Sequence, residues 1–404
     1  MRLSTNESFA NFGGPPVRSP QKKYSRTVTS SASLTFWERS AFRARFDLAD
    51  GHPRHVTSGA SAILVEEGSR VTASQDAVED QFTNRFVQTA RQTLSASLCV
   101  IFHHSASNAI DVCAKAVVAD GGRRVGVHEP TFDNLPALFK RQGLECVPIC
   151  EDIWADSAYA QSIVAEVDAL FIVLPSNPTG REPTFGEFRR MVDLCSEPGT
   201  WLLLDFSFRF FGDLAEWDQY LTLGGRHDLK ALCVEDTSKT WALDGLKVSL
   251  LVATPRCAEL ATQISEELLL NMSPRVISVV ERAVAEESRL AEAHSTIAHN
   301  RALLRDTLSR VGWRPDDTSR APVEWVKVPM PMTAVDAAEI LLLSGVSVLP
   351  GGPFFWSEPS SGSHHIRFAL FRGTRYFASA MDEVETSLTA AARRRVDVPR
   401  ARGQ

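Results

Sequence analysis

The chain has 404 residues, 44% hydrophobic and 23% charged, with a net charge of −6. At roughly 150 residues per domain it can form two or three domains with a sizeable core. The composition is ordinary for a globular protein, and its mild acidity argues against nucleic acid or an anionic membrane surface as partner.

Residues 1–33 are rich in Ser, Pro, Asn and basic side chains, the composition of a disordered arm. They contain no apolar targeting core, and no run in the chain approaches membrane-spanning length. Phe36, Trp37, Phe42 and Phe46 then recur at helical spacing, which predicts a helix over Thr35 to Leu48. Thr35 is the expected N-cap, with Glu38 three residues on as in a capping box. Asp50-Gly51-His52 follows and, on its own, reads as a turn.

From Leu98 apolar runs alternate with helical patterns. The expected strands are Leu98–Phe102, Val125–His128, Cys146–Cys150, Leu170–Leu174, Trp201–Phe206, Ala231–Val234 and Lys247–Ala253. Helical patterns occupy Asn108–Val118, Asn134–Gln142 and Phe185–Cys195. Continuous apolar strands between helices indicate a mostly parallel sheet covered on both faces. After Pro255 long helices run to about Val311. A smaller α+β part follows, with strands at Val323–Val328, Val346–Leu349 and His365–Leu370. The predicted class is therefore α/β. An arm (1–33) and an N-terminal helix or lid (34–60) precede a large domain (61–258). An interdomain helix and small C-terminal domain (259–404) complete the chain.

Seven scattered cysteines, an odd number, read as free thiols in a reducing cytoplasm. Cys146 and Cys150 have a spacing used for metals, but Val147-Pro148-Ile149 between them reads as strand core, and no metal is expected.

Several strand ends carry chemistry. Ser105-Ala106-Ser107 opens a helix with small residues, where backbone amides can approach an anion; a plain cap explains them equally well. Phe132 ends another strand, with a core aromatic as the alternative. Asn177-Pro178-Thr179-Gly180 is a turn after an apolar strand. Asp205 ends Trp201–Asp205, where an acid needs a partner. Lys239 follows Ala231–Val234, poorly placed for solvation, and an imine to a carbonyl cofactor is a leading reason for such a lysine. Arg367 sits inside an apolar strand and needs an anion.

In this order these elements resemble the pyridoxal phosphate enzymes of the aspartate aminotransferase fold, fold type I. The resemblance implies a homodimer whose cofactor is bound covalently to Lys239, which also takes the Cα proton. It places the cofactor phosphate at Ser105, Ala106 and Ser107, with Lys247 where the family usually has arginine. Phe132 would stack on the pyridine ring, Asn177 would donate to its hydroxyl, and Asp205 would pair with its protonated nitrogen. Arg367 would clamp the substrate carboxylate. Phe208 stands where aminotransferases usually carry tyrosine, so no hydroxyl reaches the ring there.

Asp236 departs from the family pattern, standing where a phosphate-binding serine or threonine is usual. A carboxylate beside a phosphate is repulsive unless a cation joins it. A guanidinium suits that place, being planar and permanently charged. Thr35, Glu38, Asp50-Gly51-His52, Asp236 and Trp241, with the family set, resemble the oxygen-dependent arginine oxidases and 4-hydroxylases of nonproteinogenic amino-acid biosynthesis. Ser238 departs from that pattern, which has glycine. This resemblance implies free L-arginine or a derivative as substrate and O2 as co-substrate, attacking a quinonoid. It assigns catalytic parts to His52, Thr35 and Glu38, and guanidinium binding to Asp50, Asp236 and Glu38. An ordinary aminotransferase, or a cyclase acting on hydroxyarginine, would share most of these residues.

Overall fold

The computed structural model describes residues 33–41, 43–56, 73–243, 245–315 and 320–396. Of the expected arm, only Ser33 falls among them; the segment 57–60 of the expected lid lies outside them too. The first helix is Leu34–Ala41 (α1). Its cap is Ser33, whose Oγ accepts the Phe36 amide at 3.2 Å. This corrects the expected Thr35 cap and frees Glu38 from a capping box. The side chain of Thr35 lies outside the described residues. The helix also stops well short of Leu48. Phe46–Asp47 (β1) instead pairs in parallel with Val346–Ser347, a long-range contact that local periodicity does not report.

The large domain is built on Cys99–His103 (β2), Arg124–Glu129 (β3), Glu145–Cys150 (β4), Ala169–Val173 (β5), Trp201–Asp205 (β6), Ala231–Asp236 (β7) and Ser249–Ala253 (β8). The sheet order is β2-β8-β7-β6-β5-β3-β4, parallel except for β8, which is antiparallel to both neighbours. Strands β5, β6 and β7 are buried along their whole length, as continuous apolar runs require.

Helices cover both faces: Gln75–Thr89 (α2), Ala106–Ala119 (α3), Asn134–Arg141 (α4), Ser157–Glu166 (α5), Phe185–Ser196 (α6), Gln219–Gly224 (α7), Pro255–Leu269 (α8) and Pro274–Ala285 (α9). One core joins the sheet to α2, α5, α6, α7 and α9, through Phe82, Phe86, Ile163, Phe188, Tyr220 and Val280. The opposite core joins it to α3, α4 and α8, through Ile110, Phe139 and Ala261. Both α8 and α9 thus bury their apolar faces with the large domain.

The long helix Glu287–Arg310 (α10) enters a separate core with Val323–Lys327 (β9), Ala334–Leu343 (α11), Val346–Ser347 (β10), Leu349–Pro350 (β11), His365–Ala369 (β12) and Thr374–Val396 (α12). The α1 residues Leu34 and Trp37 join this core. The strand expected over Val346–Leu349 splits in two, because β10 pairs with β1 while β11 joins an antiparallel sheet of order β11-β12-β9. Arg367 occupies the middle strand of that sheet, opposite Leu349 and Trp325.

Candidate active site

The carboxyl ends of β3, β5, β6 and β7 open toward the small domain, the usual position for a ligand crevice in an open α/β sheet. A cavity of about 260 Å³ lies there, with Ser105, Phe132, Asn177, Asp205, Lys239 and Arg367 among its walls. Ala106, Ser107, Phe208, Asp236, Lys247, Glu38 and His52 also line it. The expected residues therefore converge, with two exceptions: Thr35, whose side chain is not described, and Asp50.

At the mouth of α3, Ser105 Oγ caps the helix by accepting the Asn108 amide at 3.3 Å. The amides at the start of a helix have no intrahelical partner and can hold an anion. Asp205, at the end of β6, accepts the Ser207 amide at 2.9 Å and the Ser207 hydroxyl. Burial, joined by the charges of Asp236 and Glu235, pushes its carboxyl up to about 6 against the two Ser207 hydrogen bonds. Among the described residues no cation forms an ion pair with it. A buried carboxyl of this kind is short of a positive partner, which a protonated ring nitrogen would supply. Arg209 Nε donates to Glu235 Oε1 at 2.8 Å in the layer behind, tying the segment after β6 to β7.

Lys239 stands in a short helical turn, Thr237–Lys239, that follows β7 directly. Asp236 caps this turn: its Oδ1 accepts the Ser238 amide at 2.9 Å and its Oδ2 the Ser238 hydroxyl at 2.7 Å. Burial lowers the affinity of the Lys239 amine for its proton, which the charges of Asp236, Asp50 and Glu38 oppose. A lysine pushed toward its neutral form is suited to imine formation. The helix start, the unpaired Asp205 and this amine together fit pyridoxal phosphate.

Arg367 is buried between Phe132 and Phe354, its guanidinium carbon 5.9 and 5.5 Å from their ring centres. It donates to Asn177 Oδ1 at 3.0 Å and to the Ala49 carbonyl. With its oxygen so engaged, Asn177 keeps its NH2 for a ring hydroxyl. Arg367 Nε is buried without a hydrogen-bond partner among the described residues, a donor left for a ligand. Burial lowers the Arg367 guanidinium to about 10, opposed by Glu38 and Asp50.

Glu38 lines the same cavity as this guanidinium and makes no hydrogen bond among the described residues. Burial raises its carboxyl to about 7; Arg367 and Lys239 pull it down, and Asp50 and Asp47 push it up. His52 lies beside Lys239, Nε2 to Nζ at 3.1 Å. The Lys239 charge and burial hold the imidazole below its usual value, against Asp50 and Asp236.

Asp50 was expected at the substrate guanidinium, but it stands behind His52 and does not line the cavity. Its Oδ1 meets His52 Nδ1 at 2.6 Å and its Oδ2 accepts Arg54 Nε at 2.8 Å. Burial pushes this carboxyl up, but the His52 bond and the charges of His52, Lys239 and Arg54 hold it well below the usual range. Sequence reasoning passed over Arg54, although four residues from Asp50. It also missed Gly51, Thr131, Asn134 and Ser207 in the cavity wall. A methyl on Gly51 would stand 4.0 Å from both Lys239 Nζ and Arg367 Nη2. Trp241 lies in the core against Phe210, at 4.9 Å between ring centres.

Such a lysine and acid at strand ends, with an arginine from the middle of β12 lining the same cavity, suit a cofactor-dependent enzyme of amino-acid chemistry. The chain matches the aminotransferase class I and II family over residues 45–371 and belongs to it. It is thus an enzyme of the pyridoxal phosphate-dependent aminotransferase class, with the fold type I architecture. It is similar to the solved structure of MppP soaked with the product 2-ketoarginine: 30% identical, covering 85% of this chain and 99% of that one, with a TM-score of 0.77. Thermus thermophilus aspartate aminotransferase with maleate shares the fold at 18% identity, over 88% of this chain and 96% of that one, with a TM-score of 0.71. Among curated proteins, the histidinol-phosphate aminotransferase of Rhodococcus jostii (strain RHA1) is 29% identical over 201 residues, 49% of each chain. That of Mycobacterium avium (strain 104) is 22% identical over 343 residues, 80% of this chain and 74% of that one. The chain thus spans about half the length of the first of these two relatives. No helix among the described residues is long and apolar enough to cross a membrane. All seven cysteines are free.

Proposed function

We propose that the protein is a homodimeric oxidase or hydroxylase of free L-arginine or a close derivative, with pyridoxal phosphate on Lys239 and O2 as co-substrate. The observation that carries this reading is Glu38, a half-buried acid with no hydrogen-bond partner among the described residues, lining the same cavity as Arg367. A substrate with a carboxylate at one end and a cation at the other satisfies both groups. A phosphate-bearing substrate would meet Glu38 as a like charge. The similarity to MppP, whose structure was solved with its product 2-ketoarginine, supports the same substrate.

Ala106, Ser107 and Lys247 would hold the cofactor phosphate, Asp205 its ring nitrogen, Asn177 its hydroxyl, and Phe132 and Phe208 its faces. The bound cofactor supplies an electron sink for the Cα carbanion. Arg367 holds the substrate carboxylate and Glu38 the guanidinium, with Asp236 beside Lys239 adding negative charge. Lys239 Nζ removes the Cα proton. His52, 3.1 Å from that nitrogen, receives or returns it. Helix α1 closes the cavity and keeps water from the reacting centre. For simple oxidation the balance is arginine, O2 and water giving 2-ketoarginine, ammonia and hydrogen peroxide; hydroxylation would take a second O2 as oxidant and a second water as the source of the hydroxyl, releasing a second hydrogen peroxide.

The test is an oxygen-electrode trace with L-arginine, beside a product analysis by mass spectrometry. The expected result is oxygen uptake tied to loss of arginine without any keto-acid acceptor. Strict dependence on a keto acid without oxygen uptake would instead mark an aminotransferase. Turnover of hydroxyarginine alone would mark a cyclase.

A further inference from the structure

Arg372 lies beyond β12, three residues past Ala369, and is fully buried at 0% exposure. It does not meet a carboxylate at hydrogen-bond distance; the nearest, Asp47 Oδ1, is 3.7 Å away. Instead it donates to backbone carbonyls: Asp47 and His52, each at 2.6 Å, Asp50, and its neighbour Phe371 at 3.0 Å. Three of these carbonyls bracket the segment that carries Asp50 and His52. Arg367 adds a fourth tie to that segment through the Ala49 carbonyl. The backbone of Arg372 is fixed in turn, because Asn300 Nδ2 of α10 donates to the Leu370 and Arg372 carbonyls at 2.8 and 2.7 Å.

A buried cation spent on carbonyls is costly unless the placement it enforces matters. What the placement delivers is a chain of contacts. The Asp50 carboxylate receives the His52 amide at 3.1 Å and meets Nδ1 at 2.6 Å, leaving Nε2 toward Lys239 Nζ at 3.1 Å. An imidazole held by a carboxylate on one nitrogen presents the other in a defined orientation. The Asp50 carboxylate orients the ring, and the carbonyl ties join the backbone bonds Ala369 N to Leu48 O at 2.8 Å and Arg54 N to Phe371 O at 3.2 Å in holding the segment that carries it.

We infer that Arg372 is a positioning residue for the Asp50–His52–Lys239 chain, acting through the backbone of residues 47–52. The inference rests on the proposed function only in giving His52 a reaction to serve. Its contact with Lys239 exists without substrate. Arg372 is read as a clamp for one histidine, which a general fold-stabilising role would not require.

The experiment compares holoenzyme of wild type, Arg372→Met, Arg372→Lys, His52→Asn and the Arg372→Met/His52→Asn double variant. The first readout is the pH titration of the visible absorbance of the lysine-bound cofactor, which needs no substrate. Arg372→Met is expected to move the midpoint in the direction of His52→Asn, by about half a unit or more, and to add nothing in the His52→Asn background. Arg372→Lys, with a charge but no fork, should fall between. With arginine, kcat should drop about tenfold in Arg372→Met with KM changed less than about threefold, and less than about twofold further in the double variant. Additive effects, or an unchanged titration, would overturn the assignment. If Arg372→Met does not fold, Arg372→Lys carries the comparison; loss of soluble protein in both makes Arg372 a fold clamp and ends the proposal. If wild type does not turn over arginine, the proposed substrate falls, and the titration still decides about Arg372.

Discussion

The two walls of the cavity are built by different means. The cofactor wall comes from the ends of adjacent strands in one sheet, with Asp205 at the end of β6 and Lys239 just after β7. Its geometry follows from strand spacing, and burial on both faces makes it rigid. The substrate wall is assembled from three distant stretches: Glu38 on α1, residues 47–54, and Arg367 with Arg372. These are joined by guanidinium-to-carbonyl bonds and by a two-residue parallel pairing. One wall belongs to a class of enzymes. The other, on the proposed reading, decides what this member accepts, and its parts are held by long-range bonds.

The contrast is broken most severely at Lys239. Lys239→Ala should lower turnover by at least roughly a thousandfold, since it removes both the proposed attachment point and the proposed base. Borohydride reduction followed by peptide mass mapping should find the cofactor on Lys239 in wild type and nowhere in the variant. Labelling of another lysine would relocate the cofactor wall.

Glu38→Gln is the matching change on the substrate wall. A charge-assisted hydrogen bond contributes about 1.5–3 kcal/mol, so the KM for arginine should rise roughly 10- to 150-fold. The absorbance of the bound cofactor should stay as in wild type. Unchanged KM would take the guanidinium away from Glu38.

The same residue sets a pH dependence. With its folded-state value raised to about 7 from 4.5, Glu38 favours the fold at low pH. That contribution is complete below the unfolded value and is lost as pH rises through the folded one. Arginine binding runs the other way, because it needs the carboxylate. Affinity should climb with pH toward about 7 and then level, and Glu38→Gln should flatten the climb. Titration calorimetry in two buffers of different ionisation heat should show proton release on binding near neutrality in wild type alone.

The cofactor wall was the more legible in the sequence, and for a physical reason. Continuous apolar runs must be central strands, and a polar residue at the end of such a run has few alternatives to a site. Asp205 and Lys239 announce themselves that way. The substrate wall offers no comparable signal. Phe46 keeps helical spacing with Phe42, yet it pairs with Val346, three hundred positions away. Asp50 reads as a turn, and its commitment to Arg54 and His52 depends on a backbone path held by Arg372. Arg372 itself could not be found by pairing charges, because its partners are carbonyls that any residue would supply.

Gly51 tests how much room the substrate wall leaves. The first carbon of a side chain there meets only ordinary contacts at 4.0 Å. Gly51→Ala should therefore change kcat/KM less than about twofold, whereas the branches of Gly51→Val enter the space between Lys239 and Arg367. That change should cost roughly tenfold in kcat/KM by misplacing the substrate, with the thermal midpoint little changed.

The smallest effect is expected at the start of α1. Ser33 Oγ holds the Phe36 amide, and Asp133 Oδ2 holds the Leu34 amide at 2.9 Å. Ser33→Ala removes one of these two ties, at about 1 kcal/mol. The loss falls on the docking of one short helix, whose Leu34 and Trp37 remain in the small-domain core. If closure of α1 limits the fraction of competent enzyme, KM for arginine should rise up to about fivefold with kcat preserved. Adding Glu38→Gln should then erase the difference, because the helix would have no acid left to present. A Ser33→Ala effect that persists in that background would mean that α1 serves the site by shielding it from water and not by delivering Glu38.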